Sequence, residues 1–376
     1  MKLNKITDIF SEIKEVPPIL DQKTYPSLNG LRAISIIMVL FSHFIHRYYV
    51  RFDSLTYLGT LGVDVFFVIS GFLITTLCIK EKAITGNLSL KNFYIRRALR
   101  ILPVAYLYIF VIATLNYFLK LNITFLSFVS SAFFLANLSF FKKPHLGVQS
   151  DWNLGHYWSL AVEEQFYILF PIFIKKKFSV YVGILVTVIF LVPLIIYFQS
   201  IFSSLNIGIL TAALRYVIKF QGIAIGCLFS VLLFKGYLNF GQYKLPLTVI
   251  SIFMIFYLKF DVEFSLESCF KNLATSVFVG FIVVNNISPQ TNVIYKFLNL
   301  KVLNFIGILS YSIYIWQQLF LSNDPKFPLS KYPINLIFLA IIPCLSYFYY
   351  EKYFLKLKAR FIKTKQHKKE PLNIPA

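Results

Sequence analysis

Charge is what this sequence has least of. Only 14% of its 376 residues are Asp, Glu, Lys or Arg, whereas the surface of a soluble protein of this size needs roughly a quarter. Mean hydropathy is +0.69, and many stretches run without a charge for about 20 residues, the length an α-helix needs to cross a hydrocarbon core. A soluble globular fold is thereby excluded. Acidic residues are scarcer still, 16 against 37 basic ones. The four cysteines, Cys78, Cys227, Cys269 and Cys344, lie in or beside apolar segments. They lack the paired spacing of a disulfide framework or a zinc site, so no metal is expected. The first 27 residues have neither the apolar stretch nor the cleavage site of a signal peptide, and the first span is expected to direct insertion itself. No internal repeat or low-complexity tract stands out.

The positive surplus does not point to nucleic acid. Basic residues sit in short loops beside apolar runs and in the tail from Lys352 to Lys369, as the positive-inside rule requires of cytoplasmic loops. Apolar runs give eleven candidate spans, at 31–50, 60–79, 100–119, 124–141, 157–175, 179–199, 208–234, 243–259, 272–287, 302–321 and 333–354. Lys2, Lys5, Lys14 and Lys23 at one end and the basic tail at the other predict that both termini are cytoplasmic, which demands an even number of crossings. Lys80, Lys82, Lys91, Arg96, Arg97 and Arg100 make the next loop cytoplasmic. Were 124–141 to cross, Lys175, Lys176 and Lys177 would fall outside. Read as interfacial or re-entrant, it puts those lysines and Lys235 inside and Asp261, Glu263 and Glu267 outside; Lys142 and Lys143 then remain external. The expectation is an all-α integral membrane protein, a bundle of about ten transmembrane helices plus one re-entrant or interfacial segment. A cytoplasmic segment (1–27), a membrane domain (28–355) and a basic cytoplasmic tail (356–376) are expected to make up the chain, with no appended soluble domain expected. The loop 120–156, with His145, Asp151 and His156, is placed on the outer face.

Ionisable residues inside spans are costly unless paired or hydrated and are functional candidates by default. In LNGLRAISIIMVLFSHF, Arg32 and His43 are eleven positions apart, which brings them within about 20° on one helical face and separates them by roughly 16 Å along the axis. Such a line suits a long thioester, with a cation for its phosphate-bearing head and an imidazole for its reactive end. A neutral imidazole takes a proton from an attacking hydroxyl or carries the acyl group itself. The plainer alternative is that Arg32 snorkels to headgroups and His43 bonds a carbonyl. Arg96, Arg97 and Arg100 in NFYIRRALRILP read either as membrane anchors or as forked ligands for phosphate. Glu163 and Glu164 in HYWSLAVEEQFYILFP face about 100° apart, so at most one is expected in a shared pocket, orienting His43 or holding an acceptor hydroxyl. The alternative is an interfacial pair reaching water. Asp64 in GVDVFFVISGFLIT reads as helix-terminal, and Ser70-Gly71 as a helix-packing contact. Arg215 sits inside a span and calls for a counter-charge or a water-filled cavity.

These segments, together with GILSYSIYIWQQ, resemble in content and order the motifs of the acyltransferase-3 family of membrane acyltransferases, over residues 28 to about 318. The resemblance implies a ten-span fold of the stand-alone form, without the SGNH hydrolase-like domain some relatives carry. It also implies an acyl-CoA donor, acetyl-CoA first among them, on the cytoplasmic face of a bacterial inner membrane. The acceptor it implies is a carbohydrate hydroxyl, of O-antigen, exopolysaccharide, peptidoglycan, nodulation oligosaccharides or macrolide sugars, free or lipid-linked. By the same resemblance Arg32, His43 and Glu163 are catalytic, and Arg32, Arg96, Arg97 and Arg100 hold the coenzyme. Relatives often read YLWH where this chain has Tyr314-Ile315-Trp316-Gln317; glutamine does not titrate, and the change is taken as peripheral. The rival reading is a transporter or flippase whose path the same polar residues line, although no repeated halves are visible.

Overall fold

The computed structural model describes residues 8–22, 24–49, 55–138, 152–201, 208–260, 268–322 and 326–361. Several residues weighed above lie outside these: Lys2, Lys5, Lys23, Lys142, Lys143, His145, Asp151, Asp261, Glu263, Glu267 and the tail beyond 361. Helices, with no strand among the described residues, make up the architecture. In chain order they are α1 (Pro26–Tyr48), α2 (Tyr57–Thr85), α3 (Leu90–Leu119), α4 (Phe125–Ala132), α5 (Tyr157–Lys176), α6 (Phe178–Phe198), α7 (Ala213–Phe234), α8 (Gly241–Lys259), α9 (Ser268–Asn286), α10 (Val293–Leu298), α11 (Lys301–Phe320) and α12 (Ile334–Ala359).

Seven of them, α1, α2, α3, α6, α7, α8 and α12, are long and apolar enough to cross a membrane. The protein is therefore a multi-pass membrane protein. Three more, α5, α9 and α11, have 20, 19 and 20 residues but a more polar composition. Helix α4 has eight residues and a rise of about 12 Å, too short to cross. Large apolar side chains such as Phe110, Tyr117, Phe253 and Tyr349 are exposed on the outside of the bundle, where lipid is the solvent.

One end of the bundle is basic. The N-terminal stretch lies across it: Lys80 donates to the carbonyls of Leu20 (2.7 Å) and Gln22 (3.1 Å), Lys82 pairs with Glu12 (2.9 Å), and Lys235 with Asp8 (3.3 Å). Lys82 also reaches the carbonyl of Ile174 (2.9 Å), at the end of α5. Lys80, Lys82, Lys235 and the Lys175–Lys177 run that follows Ile174 thus gather where the chain begins.

Helix α3 starts ten residues before the apolar run that announces it. Ser89 caps it, its Oγ accepting the Asn92 N–H at 3.4 Å, so the arginines expected in a loop are one and a half to three turns inside the helix. That displacement carries them into the bundle.

Helix α2 is central, packing against α1, α5, α7 and α9. Its contact with α7 is made backbone to backbone. A Cβ on Gly71 would stand 1.9 Å from the Ile223 carbonyl oxygen, and one on Gly226 2.0 Å from that of Val68; the Cys227 thiol donates to the Gly71 carbonyl at 3.4 Å. Small residues allow such an approach where no hydrophobic force drives helices together. We predict that Gly71→Val or Gly226→Val lowers stability by about 1–3 kcal/mol or more, read as a fall in the melting temperature of detergent-purified protein. Gly183→Ala, where nothing lies within 4 Å of the new Cβ, should leave it unchanged.

Candidate functional site

A cavity of about 70 Å³ lies inside the bundle, lined by Arg32 of α1, Ser70 of α2, Arg97 and Arg100 of α3, Glu163 of α5 and Tyr311 and Tyr314 of α11, among others. It has room for several water molecules. Its polar lining is held by specific bonds. Arg97 is the hub: its Nη2 meets Glu163 Oε2 at 3.1 Å, its Nε meets Glu164 Oε1 at 3.0 Å, and its guanidinium lies 3.9 Å from the centre of the Tyr167 ring. Ser70 Oγ donates to the other oxygen of Glu163 at 3.1 Å. Tyr311 donates to the Ile101 carbonyl at 2.8 Å, and Tyr314 shares a hydrogen with Ser159 at 2.5 Å.

Arg97 therefore uses both carboxylates, and its two companions go without. Arg32 and Arg100 line the same cavity and make no hydrogen bond or ion pair among the described residues. Glu163 lies within electrostatic reach of Arg32 but is bound to Arg97. Two half-buried cations facing one cavity without a bonded counter-ion form a seat for an anion.

His43 lies toward the other end of the bundle and does not line this cavity. Its half-buried ring is turned inward between α11 and the short helical turn Trp152–Gly155. Nδ1 is 2.6 Å from Gln317 Oε1, and the Trp152 indole stands edge-on with ring centres 5.2 Å apart. The Trp152 Nε1–H is spent on the Gln318 carbonyl at 3.1 Å.

These positions correct several expectations. Glu163 does not hold His43: six residues along α5, it faces the arginine that α3 brings inward, and Gln317 takes the place beside the imidazole. Gln317, set aside as peripheral, is the direct partner of His43 because α11 packs along α1. Arg96 is turned away from the cavity, pairing with Glu81 at 2.6 Å and donating to the Phe361 carbonyl at 2.8 Å. Both glutamates reach Arg97, yet only Glu163 lines the cavity. Arg215 is exposed on the outside of the bundle and needs no buried partner. Asp64 is paired with Lys259 at 3.5 Å. Ser70 does more than pack, since it bonds Glu163. His156 is buried at the start of α5, its Nδ1 3.1 Å from Gln318 Oε1.

The polar face of α11 was missed. Ser310, Tyr314, Gln317 and Tyr311, Tyr314, Gln318 each recur at helical spacing in GILSYSIYIWQQ, a stripe that marks an inward face in an otherwise apolar helix. Among the described residues no three His, Cys, Asp or Glu side chains converge as metal ligands do.

Removing one partner from an enclosed ion pair costs about 3–5 kcal/mol, because the remaining charge is stranded. Arg97→Ala should therefore lower the melting temperature of the purified protein sharply, and adding Glu163→Gln and Glu164→Gln should recover part of the loss. Arg97→Lys should not substitute, since one ammonium lacks the fork that serves two carboxylates.

Comparisons with known proteins bear on the family of the chain. The acyltransferase domain model Acyl_transf_3 matches residues 25–324. A provisionally named O-acetyltransferase of Staphylococcus aureus (strain COL) is 30% identical over 363 residues, covering 88% of this chain and 57% of the relative. The O-acetyltransferase OatA of Staphylococcus aureus (strain NCTC 8325 / PS 47) is 27% identical over 372 residues, covering 90% of this chain and 58% of OatA. The chain thus spans less than two thirds of the length of these curated relatives. No solved structure matches it. With four fifths of its length under one family model, including every residue that lines the cavity, the chain belongs to the acyltransferase-3 family.

Proposed function

We propose that this protein is a membrane O-acyltransferase that moves an acyl group, acetyl in the first instance, from cytoplasmic acyl-CoA to a carbohydrate hydroxyl. The observation that carries the reading is the pair of guanidiniums, Arg32 and Arg100, that line a cavity without bonded counter-ions, with a histidine farther along the helix that bears Arg32. A donor with several phosphates and a thioester at its far end matches that line of groups.

The gathering of lysines around the N-terminal stretch supports a cytoplasmic location for the basic end, with both termini there and the protein in the bacterial inner membrane. Adding α5, α9 and α11 to the seven apolar helices gives ten crossings, in a membrane domain placed over 28–355. The acceptor, such as O-antigen or exopolysaccharide, free or lipid-linked, then approaches from the opposite side.

A cavity of about 70 Å³ does not hold a whole coenzyme, so the phosphates stay at its cytoplasmic mouth with Arg32 and Arg100 while the pantetheine arm widens the path toward His43. Arg97 serves by shaping the wall and Arg96 by tying α3 to α2 outside it, since their forks are engaged by Glu163, Glu164 and Glu81. At His43 the free ring nitrogen takes the proton of the acceptor hydroxyl as its oxygen attacks the thioester carbonyl. The C–S bond breaks as the new ester C–O bond is completed, and the imidazolium returns its proton to the departing thiolate. The products are the O-acyl carbohydrate and free coenzyme A, with His43 neutral again.

Turnover of acetyl-CoA by the purified protein, read as release of the coenzyme thiol, tests this reading. His43→Ala should abolish release at normal protein abundance. Arg100→Ala should raise the KM for acetyl-CoA roughly tenfold or more, the worth of a lost charged hydrogen bond, with a smaller effect on kcat. Full turnover by the His43→Ala protein would end the proposal. Absence of turnover in the unmodified protein would favour a transport role.

A further inference from the structure

We propose that Gln317 is the positioning residue for His43, its carboxamide oxygen fixing the ring in the tautomer that presents Nε2 as the base. The inference rests on the acyltransferase reading and assigns an atom to it.

Gln317 is fully buried, and its Oε1 is 2.6 Å from His43 Nδ1. A carboxamide oxygen only accepts hydrogen bonds. With the carboxamide oxygen on that line, as the side chain is oriented, the hydrogen belongs to Nδ1 and the lone pair of the neutral ring lies on Nε2. The Trp152 edge, with centres 5.2 Å apart, limits rotation of the ring from a second side. Between them the two contacts define both the plane of the imidazole and the nitrogen that accepts a proton.

As a packing residue Gln317 is costly. Gln317 Nε2 is buried with no hydrogen-bond partner among the described residues. Stranding a donor costs about 1–3 kcal/mol, while one neutral hydrogen bond returns about 0.5–1.5 kcal/mol. A leucine in the same apolar helix would serve packing better. What the glutamine supplies is orientation.

Few charges compete for control of the ring. His46 lies on the same helix, and His156 bears on it from the start of α5. Asp64, the acidic residue in the first half of α2, is taken by Lys259 at 3.5 Å. No carboxylate pairs with His43 among the described residues, so an uncharged acceptor sets its tautomer.

The test uses full-length protein and two readouts. In the first, ¹⁵N-histidine resonances of the unmodified protein are assigned to His43 by their loss in His43→Ala. They should show Nδ1 protonated and Nε2 bare at neutral pH, and Gln317→Leu should shift them toward a mixture of tautomers. In the second, thiol release from acetyl-CoA is followed against pH. Gln317→Leu should lower kcat about 10–100-fold with little change in KM, the size of effect seen when a partner that orients a histidine is lost. Gln317→Glu keeps the acceptor and adds a negative charge that favours the imidazolium. It should retain activity, with the acid limb of the profile moved upward by about one pH unit or more. A bare Nδ1 in the unmodified protein would overturn the proposal. So would a Gln317→Leu protein with unaltered tautomer and kcat, or a Gln317→Glu protein with an unmoved acid limb. If the unmodified protein releases no thiol, the acyltransferase reading falls while the resonances still judge Gln317.

Discussion

The fork of Arg97 between Glu163 and Glu164 is the constraint on which the interior of this bundle depends. A charge at the centre of a transmembrane helix costs about 2.5–3.5 kcal/mol even on the lenient scale of insertion measurements, so buried cations in such a protein need neutralisation from somewhere. Three arginines of α1 and α3 face one cavity, and one carboxylate lines it with them. Because Arg97 engages that carboxylate and its neighbour together, the protein supplies Arg32 and Arg100 with no bonded partner of their own. The imbalance is local and built from rigid parts: α3 and α5 are tied by the fork, and Ser70 fastens α2 to the same glutamate. A site of this kind accepts a multiply charged anion more readily than a neutral solute.

The second contact that organises function lies at the other end of α1. Helix α11 follows α1 along its length. A Cβ on Gly307 would stand 1.9 Å from the Asn29 carbonyl oxygen, and Asn29 donates to Asn304 at 2.6 Å. Close approach near the basic end sets the register that delivers Gln317 to His43 three turns farther on. The helix that carries the anion seat and the imidazole is thus gripped at both ends by one neighbour. The proposed donor seat and the proposed base are therefore held in fixed relation.

Much of this was legible in the sequence, for identifiable reasons. Long charge-free runs announce membrane helices whatever their partners, and lysine placement gives the basic end because hydration of ammonium groups is a local property. The shortness of α4 fits the excess of apolar runs over an even number. Arg32 and His43 stand out because ionisable residues are rare in such surroundings. What could not be read was pairing across helices. Nothing in the chain says whether Glu163 meets His43 or Arg97, since that depends on where α3 begins, and the Ser89 cap sets that start inside polar sequence. Gln317 was undervalued for a related reason: a neutral residue gives no electrostatic warning, and its importance lies in what α11 places beside it. The stripe of polar residues along α11 was the signal available.

The central claim is that the cavity between α1, α3 and α11 is electropositive and open to the cytoplasmic face. The most direct measurement places a thiol there as Ser310→Cys, in a chain whose four cysteines are replaced, and compares its reaction with anionic and cationic methanethiosulfonates added to inverted membrane vesicles. Two guanidiniums without bonded counter-ions predict that the anionic reagent reacts about tenfold faster or more, and that coenzyme A slows it. Equal rates for the two reagents, or reaction only from the opposite face, would contradict the account.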